Sequence, residues 1–290
     1  MTATTLVPPP ATVDAAAPTP YRLTWLRTVR SEWVKLITTR SVLISLAAVV
    51  LVMVGLGAMA ASVATGAISA PTPPGAPSGA GGPGAFSGQD PVTTVLTGAN
   101  LAVLIVGVVG VLVGSREFTS GLIRTSLAAA PGRLRVLTAK VVAFLGMSVP
   151  AALVSVLAAF FVGMAVLGAG DAATVGLFDS GVLRAVLGTA AYLVGIGLIG
   201  IALGVLLRST AGGIGVLVGG ILIAPSLLQA LLPESVSGTL KYLPSQAAGS
   251  FTSVTAGADS LSSGAGMAVF GAWVLGLLAL AGVALRRRDV

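Results

Sequence analysis

Residues 183–207 read LRAVLGTAAYLVGIGLIGIALGVLL. This stretch holds no Asp, Glu or Lys, and its single Arg, Arg184, stands at one edge. A helix crosses the hydrocarbon of a bilayer with ~20 apolar residues rising ~1.5 Å each, so the stretch is long enough to span. Five more stretches of the same character flank it, at about 41–64, 92–114 and 141–168 before it and 212–232 and 264–285 after it. A buried core helix or a signal peptide accounts for one such run, but not for six with almost no interior charge. The reading is an all-α, polytopic membrane protein with six transmembrane helices over residues 41–290.

Composition agrees. Of 290 residues, 55% are hydrophobic and 9% charged, with a mean hydropathy of +1.02, whereas soluble domains carry about 25% charged residues. A net charge of +7 in a soluble protein points to nucleic acid. Here the basic residues flank the apolar runs, so no nucleic-acid partner is expected. The chain has no Cys and no His, which excludes disulfides, thiolate nucleophiles, Ser-His-Asp catalysis and imidazole or thiolate metal sites. Its three lysines, Lys35, Lys140 and Lys241, follow Val34, Ala139 and Leu240, where the phosphate-binding motif GxxxxGK[ST] needs Gly. The expectation is no catalytic residue, no metal and no cofactor on this chain.

The basic residues also set the expected orientation. Arg22, Arg27, Arg30, Lys35 and Arg40 precede the first span; Arg116, Arg124, Arg133, Arg135 and Lys140 lie between the second and third; Arg208 follows the fourth, and Arg286, Arg287 and Arg288 follow the sixth. Only Arg184 and Lys241 fall on the other side. The positive-inside rule then puts both termini in the cytoplasm, with the protein multi-pass in the cell inner (plasma) membrane. Residues 1–20 are Pro/Ala/Thr-rich without an apolar h-region, and are expected to be a disordered cytoplasmic tail rather than a signal peptide.

Two segments on the basic side carry a pattern. Residues 21–40, YRLTWLRTVRSEWVKLITTR, place Tyr21, Trp25, Leu26, Val29, Trp33, Leu36 and Ile37 at helical spacing opposite Arg27, Ser31, Lys35 and Thr38. That predicts an amphipathic helix in the inner interface, in contact with membrane lipids. Residues 115–140 predict a cytoplasmic helix at about 115–130, with Phe118, Leu122, Ile123 and Leu127 apolar and Pro131-Gly132 as its stop. On the other side, residues 65–91 read as a Pro/Gly-rich linker. Leu240, Tyr242, Leu243 and Phe251 are expected in a short outer helix that dips back toward the membrane.

These segments resemble a family. Arg30-Ser31-Glu32-Trp33-x-Lys35-Leu36-x-Thr38-x-Arg40-Ser41, then Glu117-x-x-x-Gly121 with Ile123-Arg124-Thr125, Pro131-x-Arg133 and Ala139-Lys140, and the ending Arg287-Arg288-Asp289-Val290 are similar to permease subunits of the type 2 class of ATP-binding-cassette exporters. The resemblance covers about residues 22–290. It implies that residues 21–40 are a connecting helix, with Arg30, Glu32, Trp33, Lys35 and Arg40 in it. It implies that the helix between the second and third spans is a coupling helix, with Glu117, Phe118, Gly121, Leu122, Arg124 and Arg133 meeting a separate ATPase subunit. ATP and Mg would sit on that ATPase, and a second permease chain, identical or related, would complete the substrate path. The chain departs from fused members in lacking a nucleotide-binding domain, and from many lipid and drug exporters in its Pro/Gly-rich first outer loop.

Small and polar residues inside the spans add detail. Gly107, Gly110 and Gly114, then Gly200 and Gly204, then Gly215 and Gly219 have the small-xxx-small spacing that lets helices approach closely. Asn100, read as near the middle of the second span, and Gln229, late in the fifth, are expected either to bond a neighbouring helix or to line the path. Pro225 is expected to kink the fifth span. No ionisable residue is read deep within a span, which weighs against the alternative of an ion-coupled secondary transporter. A membrane scaffold or enzyme is the other alternative, and Glu117, Asp171, Asp179, Glu234 and Asp259 show no paired spacing suited to acid–base work.

Overall fold

The computed structural model describes residues 24–68, 89–119, 133–231, 233, 238–255 and 260–287, and every regular element among them is helical. Helix α1 runs Trp25–Thr38 and α2 Arg40–Ala64; a short α3, Pro91–Val95, precedes α4, Ala99–Thr119; α5 runs Arg133–Ala169 and α6 Val182–Leu207. Helix α7, Thr210–Val218, continues through a π-helical turn at Gly219–Ile223 into α8, Ala224–Leu231. A 3₁₀ turn at Leu240–Tyr242, α9 at Pro244–Thr252 and α10 at Ser263–Arg287 complete the order. Six helical segments are long and apolar enough to cross a membrane: 40–64, 99–116, 134–169, 182–207, 210–231 and 263–287. The expected tail at 1–20 lies outside the described residues, as does most of the linker read at 65–91.

Helix α6 is the axis of the bundle, with 67% of its most apolar window buried against 11% for the segment 210–231. Glycines let α4 lie directly on it. A Cβ at Gly110 would come 2.0 Å from the Gly197 carbonyl oxygen, one at Gly114 2.4 Å from that of Ile201, and one at Gly200 2.2 Å from that of Gly107. No side chain fits between these backbones, so the contact is made of main chain and of small residues. Gly215 and Gly219, with the same spacing, have nothing within 4 Å. Among the described residues, no neighbouring helix packs closely on either of them.

The second span departs from the continuous helix expected over 92–114. Asp90 caps α3, its Oδ1 accepting from the Val92 N–H at 3.0 Å, and the chain then turns at 96–98 before α4 begins. Gly98 makes the turn possible by touching α2, since a Cβ there would lie 2.7 Å from Met53 Cα. Asn100 therefore sits in the first turn of α4, at its outer end, and not near the middle of a span. The third span begins earlier than expected. At ~1.5 Å per residue, α5 is about 55 Å long, well over the ~30 Å of a hydrocarbon core, so it reaches beyond the apolar layer.

The fifth span changes pitch where expected, for a local reason. Pro225 has no N–H to offer the preceding turn, and the Ala224 N–H reaches back five residues to the Gly219 carbonyl. After it, α9 inserts between α6 and α10. Phe251 is fully buried, its carbonyl oxygen 2.4 Å from where a Cβ of Gly188 would stand. Arg184 clamps the end of the bundle opposite the basic cluster, donating to the Ser253 and Val254 carbonyls at 3.1 Å and to the Ser263 hydroxyl.

Candidate functional site

Among the described residues, Arg27, Arg30, Lys35, Arg40, Arg116, Arg135, Lys140, Arg208, Arg286 and Arg287 lie on α1 or toward the ends of α2, α4, α5, α6 and α10, and contacts across this end tie the elements together. Helix α1 stops at Thr38. Thr38 Oγ1 donates to the Val34 carbonyl at 2.7 Å and Thr39 Oγ1 to that of Lys35 at 2.6 Å. The second of these bonds satisfies a carbonyl the helix end leaves free, and Thr39, in extended conformation, turns the chain into α2. From α4, Arg116 Nη1 donates to the same Thr39 hydroxyl at 2.9 Å. One residue thus joins α1, α2 and α4.

The other side of α1 lies on the first turns of α5 through three contacts. Trp25 Nε1 donates to Thr138 Oγ1 at 3.3 Å. Trp33 fits a notch left by Gly146, where a Cβ would come 2.8 Å from the indole. Between them Glu32, only 4% exposed, accepts from Lys140 Nζ on Oε2 at 2.9 Å and from Lys35 Nζ on Oε1 at 2.5 Å. Burial pushes the Glu32 carboxyl pKa up; the charge of Lys140 and the hydrogen bonds from Lys35 and Lys140 outweigh this and hold it below the ordinary value. Removing a partner so that a buried charge is left with none costs about 3–5 kcal/mol.

The residues of α1 that the bundle buries are few. Glu32 and Leu36 are the buried residues of α1, while Trp25, Leu26, Trp33 and Ile37 stay at least one third exposed. The acid and Leu36 therefore face the bundle, while the other apolar residues of α1 named above keep exposed surface. Lys140, whose role in the sequence was topological, is the partner that reading missed. The signal was present in the charge pattern: Glu32 is the sole acid among the basic residues of 21–40. Long α5 also brings Lys140 into a span-length helix, near its basic end and ion-paired.

The remaining expected site residues separate into four groups. Arg30 and Arg40 are exposed on α1 and at the start of α2. Glu117 and Arg133 lie in the last turn of α4 and at the start of α5, and Phe118 carries the Arg208 guanidinium 5.3 Å from its ring centre. Ser115 and Thr210 share a hydrogen bond of 2.8 Å close by. Gly121, Leu122 and Arg124, with the body of the expected coupling helix, lie outside the described residues. Asn100 and Gln229 are both exposed, so neither forms the bond to a neighbouring helix of this chain that was one expectation for them.

No protein-family model matches the chain, and no curated protein shows significant similarity to it.

Proposed function

We propose that the chain is the membrane-spanning permease subunit of an ATP-binding-cassette exporter, worked by a separate ATPase. The observation that carries this reading is the double attachment of α1. It is bonded to the end of α4 through Arg116 and Thr39, and to the start of α5 through Glu32 and Lys140. Those two helix ends bracket residues 120–132, the heart of the segment read as the coupling element. A push delivered there moves α4, α5 and α1 together, and α1 passes it to α2 through one residue. The main-chain contact of α4 with α6 carries the motion into the centre of the bundle, because close-packed elements shift as bodies.

In this reading the basic end faces the cytoplasm of a plasma-membrane protein, as the concentration of Arg and Lys there favours. Work enters mechanically from ATP and Mg held on the partner. A second permease chain is supported by the fifth span, whose Gly215, Gly219 and Gly220 have open space around them and whose Gln229 is exposed. An amide directed at lipid is costly, and a neighbouring chain relieves that cost.

The test is purification of the tagged full chain in mild detergent from its native membrane, followed by mass spectrometry. The expected companion is a soluble ATPase with a phosphate-binding GxxxxGK[ST] motif, in near-equimolar amount. Its repeated absence, together with no crosslink from residue 121 to any such protein, overturns the proposal.

A further inference from the structure

Near the basic end, on the outside of the bundle, α5 and α10 diverge and leave an open groove of about 480 Å³. Its walls are apolar: Leu137, Val141 and Val142 on one side, Leu275 and Leu278 on the other. Polar groups occur only toward the basic end, where Thr138 and Arg286 line it. The two helices pinch together at Gly282, where a Cβ would stand 3.1 Å from Leu134 Cδ2.

Three features select what fits. The first is length: from Leu275 to Arg286, α10 rises about 16 Å, close to half of a ~30 Å hydrocarbon core. The groove is one leaflet deep. The second is level, marked by Trp25, an aromatic with one polar edge and 41% exposed, whose Nε1 donates to groove-lining Thr138. Tryptophan in this state belongs at headgroup depth. The third is charge. Arg286 is exposed, and it makes no ion pair or hydrogen bond among the described residues. Arg135, also exposed, stands one helical turn before Thr138 on the same face of α5.

We propose that this groove is a binding site for an anionic glycerophospholipid of the adjoining leaflet. One acyl chain lies between α5 and α10, and the phosphate is held at the mouth by Arg286, with Arg135 adding to the field. An uncharged ligand or a second apolar helix would use the walls and leave the guanidinium without a partner; an anionic lipid uses both. A guanidinium matches phosphate oxygens in charge and geometry. The inference needs only that the chain spans a membrane, so it stands or falls separately from the exporter reading.

The chain has no Cys, so a single probe is placed cleanly. Ala279 lines the groove and is exposed. Ala279→Cys, labelled with bimane in the full-length protein, is reconstituted into vesicles of phosphatidylcholine with a fixed fraction of chain-brominated lipid, either phosphatidylglycerol or phosphatidylcholine. Brominated phosphatidylglycerol is expected to quench at about one fifth the mole fraction that the brominated phosphatidylcholine requires, the preference one surface cation gives. Arg286→Gln on the same background should bring the two curves together. A label at Leu280→Cys, exposed at 58% and outside the groove lining, should show no preference. The proposal is overturned by equal quenching from both lipids in the Arg286 protein, by a preference that survives Arg286→Gln, or by crosslinking of residue 279 to a second copy or another protein. Native mass spectrometry of the unlabelled protein gives a readout independent of labelling: Arg286→Gln should lose the retained phosphatidylglycerol, while Leu280→Phe, outside the groove lining, keeps it.

Discussion

Glu32 and Lys140, separated by 108 residues in the chain, face each other at 2.9 Å with both side chains under a tenth exposed. The pair joins a helix that need not cross the membrane to one that does. Two charges removed from water are costly to bury, and the cost is offset only when each keeps a close partner. Glu32 has two, Lys140 and Lys35, and this asymmetry makes the junction testable.

Glu32→Ala removes the carboxylate that both lysines meet, and should cost about 3–5 kcal/mol. Lys140→Met leaves Glu32 its bond to Lys35 and fills the space with an apolar chain, so it should cost about 1 kcal/mol. The order of the two melting temperatures in the same detergent checks this. A Lys140→Met protein that melts below Glu32→Ala would mean that Lys35 contributes little to holding the carboxylate.

The same pair predicts a pH dependence. Because the folded carboxyl pKa is depressed below the ordinary 4.5, the stability Glu32 contributes is fully present above the unfolded pKa. It is lost as pH falls through the lower, folded value. Melting temperatures of wild type and Glu32→Gln should therefore differ by a constant amount from pH 7 down to about 5.5 and converge below about 4.5. A difference that widens on acidification would contradict the sign of the shift.

Hydropathy alone placed the six spans, since an uncharged apolar run of that length has few other uses. The break at 96–98 was not legible, because the turn is made by Gly98 reaching the backbone of Met53, a contact that no local pattern announces. Asn100 was misplaced for the same reason. The glycine spacing found the residues of the α4 and α6 contact but not that they meet each other, and it marked Gly215 and Gly219 equally although they meet nothing among the described residues. Spacing reports what a helix face permits; which partner takes it is decided by the fold.

That distinction can be measured. Gly110→Ala puts a methyl 2.0 Å from the Gly197 carbonyl oxygen, where backbone must move. It should cost at least the upper part of the ~1–3 kcal/mol usual for overpacking. Gly215→Ala meets no atom within 4 Å and replaces a poor helix former by a good one, so the isolated chain should gain about 0.5–1 kcal/mol. Thermal shift of the detergent-solubilised protein separates the two. If Gly215→Ala instead breaks an oligomer seen by crosslinking in membranes, with the monomer's melting temperature unharmed, the open face is an interface between copies.

The coupling reading has its own test at the α4 end. Glu117 lies in the last turn of α4, next in the chain to the segment that would meet an ATPase, and the preceding residue, Arg116, bonds Thr39, the joint to α1. Glu117→Arg reverses a charge at the proposed contact. It should reduce recovery of the ATPase about tenfold, the loss of roughly 1.4 kcal/mol expected when opposite charges at an interface rim become like charges. Membrane level and melting temperature should stay at wild-type values. Arg116→Leu acts one step later: it removes the bond to Thr39 without touching the contact, so the ATPase should still copurify while its activity no longer responds to the permease. Copurification at wild-type yield in Glu117→Arg would exclude docking at this helix end, whatever the ATPase activity.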